Sequence, residues 1–188
     1  MRDLMITAFA VFGFSAAALA ADSYTVDPSH TFPRFEISHF GFSTHHGQFN
    51  NTAGKLVLDR AAKTGSVDVT VDTASISTGD PKLEKHLRSE DFFNVEKFPT
   101  MVFKSKVVKF NGDVPAVAEG ELTLLGVTRP LALTISRVKC GPHPIAKKEA
   151  CGAEATGTLK RSEFGMMIYV PAIGDEITLR IQVEAYKD

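Results

Sequence analysis

The sequence predicts an all-β protein, a single antiparallel barrel of about eight strands joined at one point by a short helical crossover. Three observations predict it. Apolar and polar residues alternate with period two along nearly the whole chain after residue 20, so each segment offers one face for burial. Turn residues cut that alternation into short pieces with no interdomain linker and no internal repeat. A sheet of this size with one apolar face must pack on itself or close, and closure also removes the unpaired edges. The chain has 188 residues, 44% hydrophobic and 23% charged, which suits one globular domain with a substantial core.

The first element is a targeting segment. Arg2 precedes the apolar run Leu4–Phe14, and Ala18-Leu19-Ala20 follows as a small-residue cleavage site, so residues 1–20 read as a secretory signal peptide and 21–188 as the mature domain. The apolar run is short for a membrane anchor. Strands are then predicted at 23–27, 31–39, 46–58, 66–73, 101–110, 117–125, 128–138, 153–162 and 177–186. The alternation is clearest at the ends of this series. Val67, Val69 and Val71 face one way and Asp68, Thr70 and Asp72 the other. Ile177, Leu179, Ile181, Val183 and Ala185 share a face opposite Thr178, Arg180, Gln182, Glu184 and Tyr186. Asp27-Pro28-Ser29, Gly41, Asn50-Asn51, Asn111-Gly112-Asp113 and Leu125-Gly126-Val127 are the turns, the last of them tight enough to predict a hairpin. Asp80 before Pro81, with Leu83 and Leu87 one turn apart, predicts the helical crossover over 80–93.

Composition narrows the function. Lys and Arg total 21 against 22 Asp and Glu, a net charge of -1, which excludes a binder held to nucleic acid or anionic membrane by charge. Two cysteines, Cys140 and Cys151, flank a stretch rich in Pro and Gly. In an exported protein they are expected to form one disulfide, stabilising the fold by about 2–3 kcal/mol through loop closure. Phenylalanine is abundant, with 14 residues, and tryptophan is absent. Periodicity alone does not distinguish a barrel filled by these rings from a hollow one.

Specific blocks resemble a known family. Val26-Asp27-Pro28-Ser29-His30-Thr31-Phe32, Phe35–Ser43 and Gly47-Gln48-Phe49 are similar to the opening of YceI-like proteins. His86–Val95 with Phe98–Phe103 behind it, and Gly120–Pro130, resemble the next two blocks in the same order. The resemblance spans residues 24 to 186. It implies an extended lipocalin-like barrel in the bacterial periplasm that binds a long amphiphilic lipid, a polyisoprenoid or an isoprenoid quinone, with no cofactor besides the lipid; with a quinone as ligand, a membrane electron-transfer protein is the expected protein partner. The Gly-x-Trp signature of lipocalins proper needs a Trp that this chain lacks. The Cys140–Cys151 segment and the Met-rich Phe164–Ile168 stretch depart from the family pattern and bear on the shape of the rim and on ligand length.

Face parity then selects the candidate ligand-binding residues: Phe35, Ile37, Phe49, Val69, Phe103, Leu122, Leu133, Leu179 and Ile181 for an oily tail, and His39, Arg88 and Arg129 for a polar head group. Core packing accounts for each apolar member equally well, and a local backbone partner for His39. Catalytic motifs are weak. His45 and His46 point to opposite faces of a strand, and the six histidines show no His-Glu-x-x-His spacing. There is no Gly-x-Ser-x-Gly elbow and no phosphate loop. No metal site and no catalytic residue is therefore expected. Two alternatives stand beside the carrier: an enzyme acting on a similar lipid through His39 or His86, and a solid barrel that serves as a protein-interaction module.

Overall fold

The computed structural model describes residues 21–188, and the expected signal peptide lies outside them. The elements in chain order are β1 (Asp22–Val26), β2 (Phe32–His39), β3 (Ser43–Phe49), β4 (Thr52–Asp59), β5 (Thr64–Asp72), β6 (Ile76–Ser77), α1 (Pro81–Arg88), β7 (Thr100–Asn111), β8 (Val114–Leu124), β9 (Val127–Pro142), β10 (Glu149–Lys160) and β11 (Ile173–Lys187). All strand pairs are antiparallel. Neighbours run β1-β4-β5-β7-β8-β9-β10-β11, and β1 pairs again with β11 to close a ring of eight.

The closing strand is shared. The C-terminal end of β11 pairs with β1 (Ala185 opposite Val26), whereas its N-terminal half pairs with β2 (Leu179 opposite Phe35). From β2 the wall continues through β3 to β6, and β6 follows β5 directly through a 3₁₀ turn at Thr73–Ser75. One end of the barrel is therefore closed by β1 and the other by the β2–β3–β6 lamina, which lengthens the barrel beyond a simple eight-stranded ring.

That second closure corrects one sequence expectation. The segment 46–58 is two strands that break at Asn50-Asn51, because β3 belongs to the upper lamina and β4 to the lower ring. Phe49 and Thr52 both point inward and are buried, which a continuous period-two strand cannot provide for residues three apart. The helix is also shorter than the predicted 80–93. Asp80 caps it by accepting from the Lys82 N–H at 2.9 Å, Pro81 opens it, and Ser89 ends it in extended backbone with its hydroxyl donating to the His86 carbonyl. Turns carry the chain from there to β7, with Asn94 in the left-handed region.

The expected disulfide is present. Cys140 and Cys151 sit directly opposite one another on β9 and β10, so the bridge fastens a hairpin at the end of the barrel that β1 closes. A buried cluster lies along β7–β10, where Phe103, Leu122, Leu124, Leu131 and Leu133 pack with Phe164.

Candidate functional site

The inward faces do not meet in the middle. A cavity of about 520 Å³ runs along the barrel, within the range of sites that hold a small ligand. Its wall is almost wholly apolar and draws on nearly every strand. The burial pattern records the same void independently. Leu131 and Leu133 on β9 are buried, yet Ile177, Leu179, Ile181 and Val183, on the inward face of β11, remain only half-buried. Their exposure is to the cavity. Leu56, Leu58, Val67 and Val69 on β4 and β5 show the same half-burial, so the space lies against this side of the barrel and the β7–β10 wall backs it.

Two glycines make room for rings that would otherwise be pushed inward. Gly47 faces Phe35 across the β2–β3 pair, and a Cβ there would lie 2.4 Å from the tip of the Phe35 ring. Gly120 likewise leaves space for the Phe103 ring and for close approach of the β7 backbone at Lys104.

The cavity reaches the surface at the end closed by the β2–β3–β6 lamina. Phe40, 54% exposed, and Tyr169, 57% exposed, both line the cavity and both reach solvent. Phe40 belongs to the β2–β3 turn and Tyr169 to the 165–172 loop, and the Phe40 N–H donates to the Ala172 carbonyl at 3.0 Å. Helix α1 completes this mouth with Leu83, His86 and Leu87, which share one face at helical spacing. Imidazoles stand among these apolar residues. His39 and His45 stack with centroids 4.1 Å apart, and His39 meets Phe40 edge-on at 4.6 Å. His86 contacts Phe92 at 5.0 Å and Tyr169 at 6.4 Å, with its Nε2 3.1 Å from Asp91 Oδ2.

The loop beside the mouth is held by Arg161, a residue the sequence reading missed. The residue is 2% exposed, and its guanidinium donates to the carbonyls of Met166, Ile168, Ile173 and Gly174 at 2.8–3.1 Å. Burial lowers its pKa from the ordinary value, opposed by the Asp175 carboxylate. Asp175 accepts from the backbone N–H and the hydroxyl of Ser162; against burial, which raises it, these bonds and Arg161 hold its carboxyl below the usual range.

The structure brings Phe35, Ile37, His39, Phe49, Val69, Phe103, Leu122, Leu133, Leu179 and Ile181 together on the cavity wall. It does not bring Arg88 or Arg129 there. Arg88 donates to the Ala74 and Ile76 carbonyls at 2.8 and 2.7 Å and pairs with Glu84 at 3.5 Å, so it ties α1 to the segment before it. Arg129 is exposed and donates to the Thr128 carbonyl at 3.2 Å. Residues missed besides Arg161 are His45, Tyr169 and, on α1, Leu83 and Leu87 as cavity-lining side chains; His86 was expected only under the enzyme alternative. The 83/86/87 spacing on α1 was a readable signal; His45 and Tyr169 carried none. Among the described residues no group of three His, Cys, Asp or Glu side chains is placed to hold a metal ion.

Fold and site together define a closed β-barrel with an apolar internal cavity that opens through an aromatic and histidine-lined mouth. By its match to the YceI-like domain over residues 24–185, the chain belongs to the YceI-like family. It is 36% identical over 186 residues to Protein YceI of Escherichia coli O157:H7, covering 97% of this chain and 96% of that protein. Among solved structures it superposes on the YCEI protein of Campylobacter jejuni with a TM-score of 0.68 at 29% identity, covering 80% and 90% of the two chains. A polyisoprenoid binding domain from Saccharophagus degradans shares the fold with a TM-score of 0.65 at 12% identity, covering 88% and 98%.

Proposed function

We propose that this protein is an exported lipid-binding protein that sequesters or carries a long isoprenoid, a polyprenyl lipid or an isoprenoid quinone, with the tail inside the barrel and the head group at the mouth. The observation that carries the reading is the hollow apolar interior. Each methylene moved from water into such a space contributes about 0.8 kcal/mol, so a chain held over part of its length binds without any charged grip. The energy is spread over many wall residues, and no single apolar side chain is indispensable. A neighbour of the same fold is called a polyisoprenoid binding domain, which supports the reading.

At the mouth, His39 and His45 present ring nitrogens that can donate to or accept from a head-group oxygen, and their flat faces suit a planar ring. The expected cleavage after Ala20 would deliver residues 21–188 to the periplasm. There a quinone cargo would be passed to a membrane electron-transfer protein.

The filled-barrel module is disfavoured by the cavity. The enzyme reading retains one observation, the pairing of His86 with Asp91 at the mouth, an orientation that suits a general base. Organic-solvent extraction of the protein purified from the exported fraction, followed by mass spectrometry, separates these readings. A stoichiometric intact isoprenoid supports the carrier. A chemically altered lipid supports the enzyme, and an extract empty of lipid overturns both.

A further inference from the structure

The disulfide lies at the end of the barrel away from the mouth, in surroundings that treat its two sulfurs differently. Cys151 is buried and packs against Tyr24 and Ala185, both of which are 0% exposed. Cys140 is only half-buried. The Arg60 guanidinium, from the β4–β5 turn, points at one sulfur, with its terminal nitrogen 3.5 Å from Cys151 Sγ. The same nitrogen donates to the Tyr24 hydroxyl at 3.1 Å and lies 3.6 Å from Glu149 Oε1, so three groups fix its position. The other charges nearby are accounted for: Glu149 also accepts from Tyr24 and lies 3.7 Å from Lys187, and Lys187 is paired with Asp22 at 2.6 Å. Arg60 is therefore the cation placed on the sulfur.

We propose that Cys140–Cys151 is a directional thiol-exchange site, attacked at Cys140 by the thiolate of a small thiol or of a thiol–disulfide oxidoreductase, with Cys151 as the leaving group. A nucleophile must approach a disulfide sulfur along the S–S axis. Cys151 is buried among Tyr24 and Ala185, whereas Cys140, packed against the same cluster, keeps part of its surface exposed. The attacking sulfur forms a bond to Cys140 Sγ, the Sγ–Sγ bond breaks, and its electron pair leaves on Cys151 Sγ as a thiolate facing Arg60. No proton or further oxidant is needed, and a second thiolate attacking the mixed disulfide completes the reduction. A stabilised leaving thiolate and a less buried target residue both accelerate exchange, and here they favour the same direction. The bridge is thus an addressable modification site as well as a staple.

The test is exchange of the oxidised protein with glutathione, quenched by alkylation and mapped by peptide mass spectrometry. Glutathione is expected on Cys140 and the alkyl group on Cys151. Arg60→Gln is expected to slow exchange by about tenfold, and Arg60→Lys, which keeps the charge, to restore part of the rate. Glutathione found mainly on Cys151, or exchange in Arg60→Gln at the wild-type rate, overturns the proposal. The mapping on the unmodified sequence decides the direction of attack without relying on how well the variants fold.

Discussion

The ring of Phe35 occupies the space that a side chain at Gly47 would need: the two residues face one another across β2 and β3, and a Cβ at position 47 would stand 2.4 Å from the ring tip. The obstructing atoms are the far end of a side chain with the cavity behind it. Gly47→Ala is therefore expected to fold and to drive the Phe35 ring into the cavity. Affinity for a bound isoprenoid should fall by about tenfold, roughly the loss of contact with one or two methylenes, with a smaller change in thermal stability. Fluorescence competition with a labelled polyprenyl probe measures it, and unchanged affinity would remove Phe35 from the tail site.

His39 gives a contrasting expectation. It stacks on His45 at the mouth and, among the described residues, donates to no buried partner, so His39→Ala should leave the melting temperature within about 2 °C of wild type, as surface substitutions do. Binding of an isoprenoid quinone should weaken by about three- to tenfold, the worth of one hydrogen bond. A polyprenyl hydrocarbon, which has no head group, should bind as before. Equal effects on both ligands would assign His39 to shape alone.

Arg161→Met tests the loop anchor. Removing the guanidinium leaves four carbonyls of the 166–174 segment without their donor in a buried site, and a loss of about 3–5 kcal/mol in unfolding free energy is expected. Hydrogen exchange should rise first at residues 165–174, beside the mouth. Denaturant unfolding at the wild-type midpoint would contradict this role.

Stability should fall on acidification. Asp22, held by its Lys187 hydrogen bond, Glu84, held by the Thr78 N–H, and Asp188, held by Ser23, Thr25 and Lys55, all lie below their ordinary values. Asp27 and Asp175 do so as well, their hydrogen bonds outweighing the burial that raises them. A folded-state pKa below the unfolded one contributes stability that is complete above the unfolded value and lost as pH falls through the folded value. His30 has the opposite sign: its hydrogen bond to Asp27 raises it above 6.5, so its contribution is complete below that value and lost as pH rises through the raised one. The urea midpoint should therefore drop between about pH 5 and about pH 3, and Asp175→Asn should flatten part of that slope. A midpoint constant across this interval would contradict the assignment.

Much of this was legible because a barrel strand writes its two faces into alternate residues. Ile177, Leu179, Ile181 and Val183 announced one wall of the cavity, and Val67, Val69 and Val71 another. Asn50-Asn51 was legible as a turn, but not that it divides 46–58 into two strands, since both flanking segments carry strand alternation and only tertiary pairing assigns β3 and β4 to different closures. Arg88 and Arg129 were misplaced as head-group candidates because long side chains choose carbonyls near them in space, which parity does not reveal. Arg161 was missed for the reverse reason. The period-two reading carries a strand through 153–162, whereas β10 ends at Lys160, and nothing local signals that the chain turns at Arg161 and folds back to bury that side chain. Whether the barrel was hollow was likewise beyond periodicity, because filled and empty interiors share one pattern of inward residues.

The most direct test of the central claim is native mass spectrometry of the delipidated protein titrated with an isoprenoid quinone, alongside Val69→Trp. Val69 lies on the cavity wall between Gly54 and Phe103, where an indole would project into the space a tail must occupy. The account predicts a one-to-one complex for the wild type and its loss in Val69→Trp, with the variant still folded. A wild-type protein that retains its bare mass at saturating ligand, or a Val69→Trp variant that binds as tightly as wild type, would contradict it.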